Sequence, residues 1–247
     1  MQTILHENPS PGTNTHGQPI GTAVPGWTPR AQPPRTPMKG TRCDVVILDP
    51  AAHIDDLWEA FSADPSGRSW TYLFVDLPAS KEALRAYLDA QSKLTDPLCH
   101  TIIERASGRA VGIASFMRID VNMGVIEVGN INYSERLKRT AIATEAMYLM
   151  MKRVFDELGY RRYEWKCDSL NHPSRKAAER YGYIYEGTFR QAVVYKGRNR
   201  DTAWFSIIDK EWPALKRAYE TWLDPANFDA SGNQRRGLAE LIAEAKR

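Results

Sequence analysis

Between residues 43 and 208 the apolar positions change period several times, and each change marks an element. Val45, Val46, Ile47 and Leu48 make a short β-prone run over residues 43–48, and the spacing over 53–61 and 81–91 predicts two helices. Runs rich in β-branched residues follow over 99–105, 110–119 and 125–131. Ser107-Gly108 and residues 122–124 are the turns between them, so the three runs predict an antiparallel meander. Met147, Met150, Met151, Val154, Phe155 and Leu158 then recur at three- and four-residue steps, with Gly159 just beyond, the pattern of a long amphipathic helix.

Past that helix, Tyr163, Trp165 and Cys167 alternate with Arg162, Glu164 and Lys166, which predicts a strand with one buried face. Asn171 and Pro173 start a short helix with Ala177, Ala178 and Tyr181 on one side and Gly182 as its C-terminal cap. Residues 190–195 and 202–208 flank Lys196-Gly197-Arg198-Asn199 as a hairpin, and 212–222 form a last amphipathic helix. A meander followed by a strand-helix-strand crossover implies an α/β (α+β) domain, a mixed and mostly antiparallel central sheet flanked by helices. The expected organisation is a Pro/Gly-rich extended arm over residues 1–40, one domain over 41–223 and a mobile or loosely packed tail over 224–247. The arm is read either as disordered or as packing Trp27 and Ile20 onto the core.

The 247 residues suit one domain, and 43% hydrophobic with 26% charged residues is ordinary for a protein that buries a core. Thirty-three basic against thirty acidic residues leave +3 with no long basic run, so nothing in the composition points to nucleic acid. Cys43, Cys99 and Cys167 stand far apart in no ligand-like spacing, which favours reduced thiols over a disulfide framework or a metal site. With no secretory leader and no run of about 18 apolar residues, the expectation is a cytoplasmic protein without a membrane partner.

The candidate chemistry lies between Tyr133 and Ala146, where a strand ends and small residues lead into the long helix. Lys138 and Arg139 precede Thr140, Ala141, Ile142, Ala143 and Thr144. A helix start leaves backbone N–H groups unpaired at the positive end of the helix dipole, where a phosphate is held. The same residues also read as a helix cap at Thr140 or Thr144 beside a solvated pair of cations.

The motif order resembles the GCN5-related N-acetyltransferase family, in its branch of ribosomal-protein alanine acetyltransferase-like enzymes. The resemblance rests on Glu127-Val128-Gly129; Ala143-Thr144-Glu145-Ala146; Asn171-His172-Pro173-Ser174; Gly182-Tyr183; Glu186-Gly187; Arg190; and Gly197-Arg198 with Asp201, across residues 43 to 212. It implies acetyl-CoA as cosubstrate, no metal, and direct transfer of the acetyl group to a primary amine of a small molecule or a protein N-terminus. Oligomeric state stays open between monomer and homodimer.

By the same resemblance, residues 138–144 hold the pyrophosphate, with Ala141 standing where the family has glycine. Glu127 is the general base, the alternative being a strand-edge ion pair. The N–H near Ile131, exposed by a β-bulge at Asn130, meets the oxyanion. Ser174, or else Tyr181, donates to the departing thiolate, and Asn171 bonds the pantetheine arm or caps its own helix. His172 is read as solvent-facing, and Trp165, Trp204 and Trp212 as core. If Ala141 spoils the phosphate turn, the alternative function is a non-catalytic acyl-CoA-binding or scaffold protein on the same fold.

Overall fold

A computed structural model describes residues 12–246. Among the described residues there are ten strands and six α-helices, and those from residue 43 to residue 223 follow one another in the expected order. A two-residue hairpin of β1 (Gly12–Thr13) and β2 (Pro19–Ile20) stands apart from an eight-stranded sheet. Along that sheet run β3 (Met38–Lys39), β4 (Cys43–Ile47), β5 (Leu98–Glu104), β6 (Arg109–Asp120), β7 (Val125–Tyr133), β8 (Arg162–Asp168), β10 (Arg198–Ile208) and β9 (Ile184–Tyr195). Every pairing is antiparallel except that of β7 with β8, the two strands joined through the long helix.

α1 (Pro50–Ser62) and α2 (Lys81–Ser92) cover one face. Leu57, Phe61, Trp70, Leu84 and Leu88 are buried there against Cys99 and Ile113. Helix α1 begins earlier than the apolar period suggested because Asp49 accepts hydrogen bonds from Ala51 and Ala52 N–H with Pro50 in the first turn. On the other face lie α3 (Ala141–Lys152), continued by a π-helical turn over Arg153–Glu157, α4 (His172–Arg180), α5 (Trp212–Leu223) and α6 (Leu238–Ala245). Gly182, just after α4, has φ 93°, and a Cβ there would meet Leu215 Cδ2 at 2.6 Å, so both its conformation and its neighbours require glycine.

Two sequence expectations change. The segment beyond Leu223 is packed: Leu238, Leu241 and Ile242 are buried against the α5 side of the core, because α6 brings its own apolar stripe. In the arm, Ile20 is exposed, whereas Trp27 closes over the β6–β7 turn. Its Nε1 donates to Asn122 O at 2.8 Å, its ring lies where a Cβ on Gly124 would stand, and Arg30 and Arg161 stack on it. Arg153 fixes the end of the arm through Thr36 and Pro37 carbonyls. The first eleven residues of the arm lie outside the described residues.

Candidate active site

Strands β7 and β8 pair only from Val125 with Arg162 to Val128 with Trp165, and beyond that register they part. A cleft of about 1360 Å³ opens between them and reaches the start of α3, the start of α4 and the turn before α6. A bulge on β7 helps to open it. Ser115 of β6 faces Gly129 and Ile113 faces Asn132, so Asn130 and Ile131 together oppose Ala114, with Asn130 at φ 49°.

The sequence-predicted residues converge here. Glu127, Ile131, Lys138, Arg139, Thr140, Ala141, Ala143, Thr144, Asn171, Ser174 and Tyr181 all line the cleft. Ile142 does not: its side chain packs against the core, and only its backbone belongs to the loop. Thr140 caps α3, its Oγ1 accepting from Ala143 N–H at 3.2 Å, and Thr140 O takes Thr144 N–H. The N–H groups of Thr140, Ala141 and Ile142 are left without a partner among the described residues, a shorter set than the expected 140–144.

The conformation asked of a glycine falls on Arg139 (φ 60°), while Ala141 is the first residue of the helix. Alanine is well suited to that place, so the feature that favoured a non-catalytic protein has no counterpart in the geometry. Lys138 pairs with Glu135 at 2.5 Å. Arg139, Lys176 and Arg180 add positive charge to the same wall, and Arg180 donates to Thr144 Oγ1 at 3.1 Å.

Glu127 is buried and held by cations: Arg118 Nη1 lies 2.8 Å from both its oxygens and Lys166 Nζ 2.9 Å from Oε2. Lys166 also binds Glu164 at 2.6 Å, and Arg162 continues the row to Glu164 and Glu186. Opposite-sign charges thus alternate across β6, β7, β8 and β9 on one sheet face. Three donor contacts fill most of the roughly four lone-pair directions of the Glu127 carboxylate. Arg118 is half exposed, so one of these contacts can be displaced.

On the other sheet face Ser174 Oγ accepts from Trp165 Nε1 at 3.0 Å, and its own O–H is turned to the Cys167 sulfur at the cleft. Asn171 Oδ1 accepts from Ser174 N–H at 3.1 Å, so Asn171 is a helix cap. Burial raises the Tyr181 phenol above its ordinary value and keeps it protonated. His172 is exposed at the rim. Trp212 is core; Trp165 is buried yet lines the cleft; Trp204 is half-buried between Phe189 and the Lys166 ammonium. Burial pushes all three thiols up, Cys99 to about 11, and Cys167 is the one lining the cleft.

Sequence reasoning missed Arg118, Lys166, Asn132 and Arg180, and also Trp222, Phe228 and Gln234, which wall the cleft from the C-terminal side. The alternation Arg162, Glu164, Lys166 was the visible signal for the charge row; nothing local marked the others. Among the described residues no cluster of His, Cys, Asp and Glu is placed to hold a metal ion, and no helix is long and apolar enough to cross a membrane.

The fold as a whole recurs in solved proteins. The chain is 47% identical to a GCN5-related N-acetyltransferase from Brucella melitensis, with a TM-score of 0.87 over 89% of this chain and all of that one. It is 28% identical over 112 residues to the uncharacterised N-acetyltransferase p20 of Bacillus licheniformis. It is 26% identical over 109 residues to a Bacillus subtilis protein provisionally named ribosomal N-acetyltransferase YdaF. Those two matches cover 45% and 44% of this chain and 62% and 59% of the relatives, under two thirds of their length. A profile of the acetyltransferase (GNAT) domain matches residues 46–184, more than half of the chain, and the protein belongs to that acetyltransferase family.

Proposed function

We propose that the protein transfers the acetyl group of acetyl-CoA directly to a primary amine. The observation that carries this reading is the cleft itself, which joins an anion-ready helix start to a bulged strand and a buried carboxylate. Acetyl-CoA supplies an activated thioester; everything else is done by residues of this chain. The N–H groups of Thr140, Ala141 and Ile142 hold the pyrophosphate, and Lys138, Arg139 and Arg180 supply the charge that draws it in. Backbone N–H at Ile131, turned by the bulge, receives the oxyanion.

An amine of ordinary basicity, with a pKa of about 10.4 for a lysine side chain, reaches the site as a cation. Glu127 attracts it, the ammonium displacing Arg118, and then takes its proton through one water. Ser174 donates to the departing thiolate, with Tyr181 as the second acid on the same wall. The family branch and the name carried by YdaF favour a protein N-terminus as the acceptor.

The test is thiol release from acetyl-CoA with a panel of primary amines and short peptides. Amine-dependent release is expected, falling by about 10² to 10⁴ in Glu127→Gln, as for loss of a general base. A Glu127→Gln enzyme with the wild-type rate would remove the base from Glu127. No release with any acceptor would remove the function.

A further inference from the structure

The bulge also decides which way Asn132 faces. On a regular strand Asn132, five residues after Glu127, would point to the opposite sheet face. Two residues at the bulge oppose one on β6, so the parity changes. Glu127 pairs with Met117, Gly129 with Ser115 and Asn132 with Ile113, an unbroken series of same-face positions. Glu127 and Asn132 therefore stand at two ends of one trough. Their β6 partners are four residues apart, about 13 Å at strand rise.

Asn132 is 1% exposed and lines the cleft, yet neither its Nδ2 nor its Oδ1 has a hydrogen-bond partner. Buried polar groups are nearly always satisfied, and each exception asks for a reason. His100 has two orphaned nitrogens as well, but it is packed against Phe116 in the core, away from the cleft. The Tyr133 hydroxyl is orphaned too, but it lies among Tyr181, Cys43, Tyr163 and Tyr219 in the core, whereas Asn132 holds a free donor and a free acceptor side by side at the edge of a ligand-sized space.

We propose that Asn132 recognises the acceptor, its carboxamide pairing with an amide group beside the reacting amine. This rests on the proposed acetyl transfer. A carboxamide presents a donor and an acceptor side by side, and a peptide group offers the matching pair. The Met117 thioether lies where a Cβ on Gly129 would stand, so a flexible side chain floors the trough between Glu127 and Asn132. The acceptor class that the carboxamide selects is the α-amine of a peptide chain, in preference to a plain alkylamine. Leu73 and Phe74 on the same cleft provide apolar wall for a first side chain.

Two acceptors separate the cases: a short peptide with a free α-amine and an alkylamine of similar size, each compared by kcat/KM in wild type, Asn132→Leu and Asn132→Ala. Wild type should favour the peptide, and both variants should lose that preference by roughly tenfold or more, mainly through acceptor KM, since an amide left unpaired in the pocket is strongly rejected. The KM for acetyl-CoA should stay within about twofold in both. Without acceptor, Asn132→Leu should melt at the same temperature as wild type or higher, because it removes two orphaned polar atoms without removing a contact. An unchanged peptide-to-alkylamine ratio overturns the assignment, and so does a clear fall in the melting temperature of Asn132→Leu. If wild type acetylates neither acceptor, the proposed transfer fails and the melting comparison alone judges Asn132.

Discussion

Glu145 lies in the Ala143-Thr144-Glu145-Ala146 motif, beside the phosphate loop, yet its carboxylate turns away from the cleft. It accepts from the N–H groups of Thr41 (3.0 Å), Arg42 (2.6 Å) and Cys43 (2.7 Å) and from Thr41 Oγ1 (2.5 Å). One side chain of α3 thus supplies the missing partners at the start of β4, a strand more than a hundred residues earlier. Replacing Glu145 by Ala leaves three backbone donors without their carboxylate, of which that of Cys43 is fully buried, and we expect a loss of roughly 2–3 kcal/mol in urea unfolding. A loss below about 1 kcal/mol would mean that water substitutes for the carboxylate. The motif was legible in the sequence; its job was not, because the three donors belong to a backbone with no pattern to read. Glu127 shows the same limit. Its strand position and face could be read from period two, whereas the half-exposed Arg118 that shares its oxygens could be found only in three dimensions.

At the scale of elements, the phosphate loop is set by where the left-handed residue falls. Arg139 carries φ 60° and Ala141 opens α3. Ala141→Gly is therefore expected to leave the KM for acetyl-CoA within about twofold and to lower stability by up to about 1 kcal/mol, the ordinary cost of glycine in a helix. Arg139→Gly relieves the strained backbone but removes a cation, so the melting temperature should hold or rise while acetyl-CoA binding weakens. A large gain in affinity from Ala141→Gly, read by titration with acetyl-CoA, would return the defect to Ala141. The sequence located this loop from small residues before a periodic helix. It misplaced the critical residue because an arginine in the left-handed region carries no compositional signal. The bulge at Asn130 was expected from family resemblance, but the reversal of facing at Asn132 is a matter of register against β6, which single-strand alternation does not reveal.

Over the whole molecule, the succession of elements from β4 to α5 and the mixed, mostly antiparallel sheet followed from changes of period, whereas the order β8-β10-β9 at one edge did not, since long periodic segments are those in which burial overrides local preference. The terminal segments were harder. The arm has almost no apolar pattern and is fixed by single contacts such as Trp27 on Gly124, while α6, with a clear apolar stripe, was undervalued for its position after an apparent end. One global property follows from the core: His100 is fully buried, and burial lowers its pKa from 6.5 to about 4. Between those values the unfolded chain binds more protons than the folded one. The stabilisation is thus complete above pH 6.5 and is lost as pH falls towards 4, by up to about 3 kcal/mol. Urea unfolding at pH 7.5 and pH 4.5 should show that slope in wild type and a shallower one in His100→Phe; equal slopes would place His100 in contact with water.

The central claim is direct transfer within one cleft, without an acetylated enzyme. The thiol that lines the cleft, Cys167, is held protonated by burial and is a poor nucleophile. Initial velocities measured over a grid of acetyl-CoA and acceptor concentrations test this most directly. Intersecting lines, with no acetyl group on the protein after incubation with acetyl-CoA alone, are the predicted result. Parallel lines together with an acetylated enzyme that passes its acetyl group to the amine would contradict it.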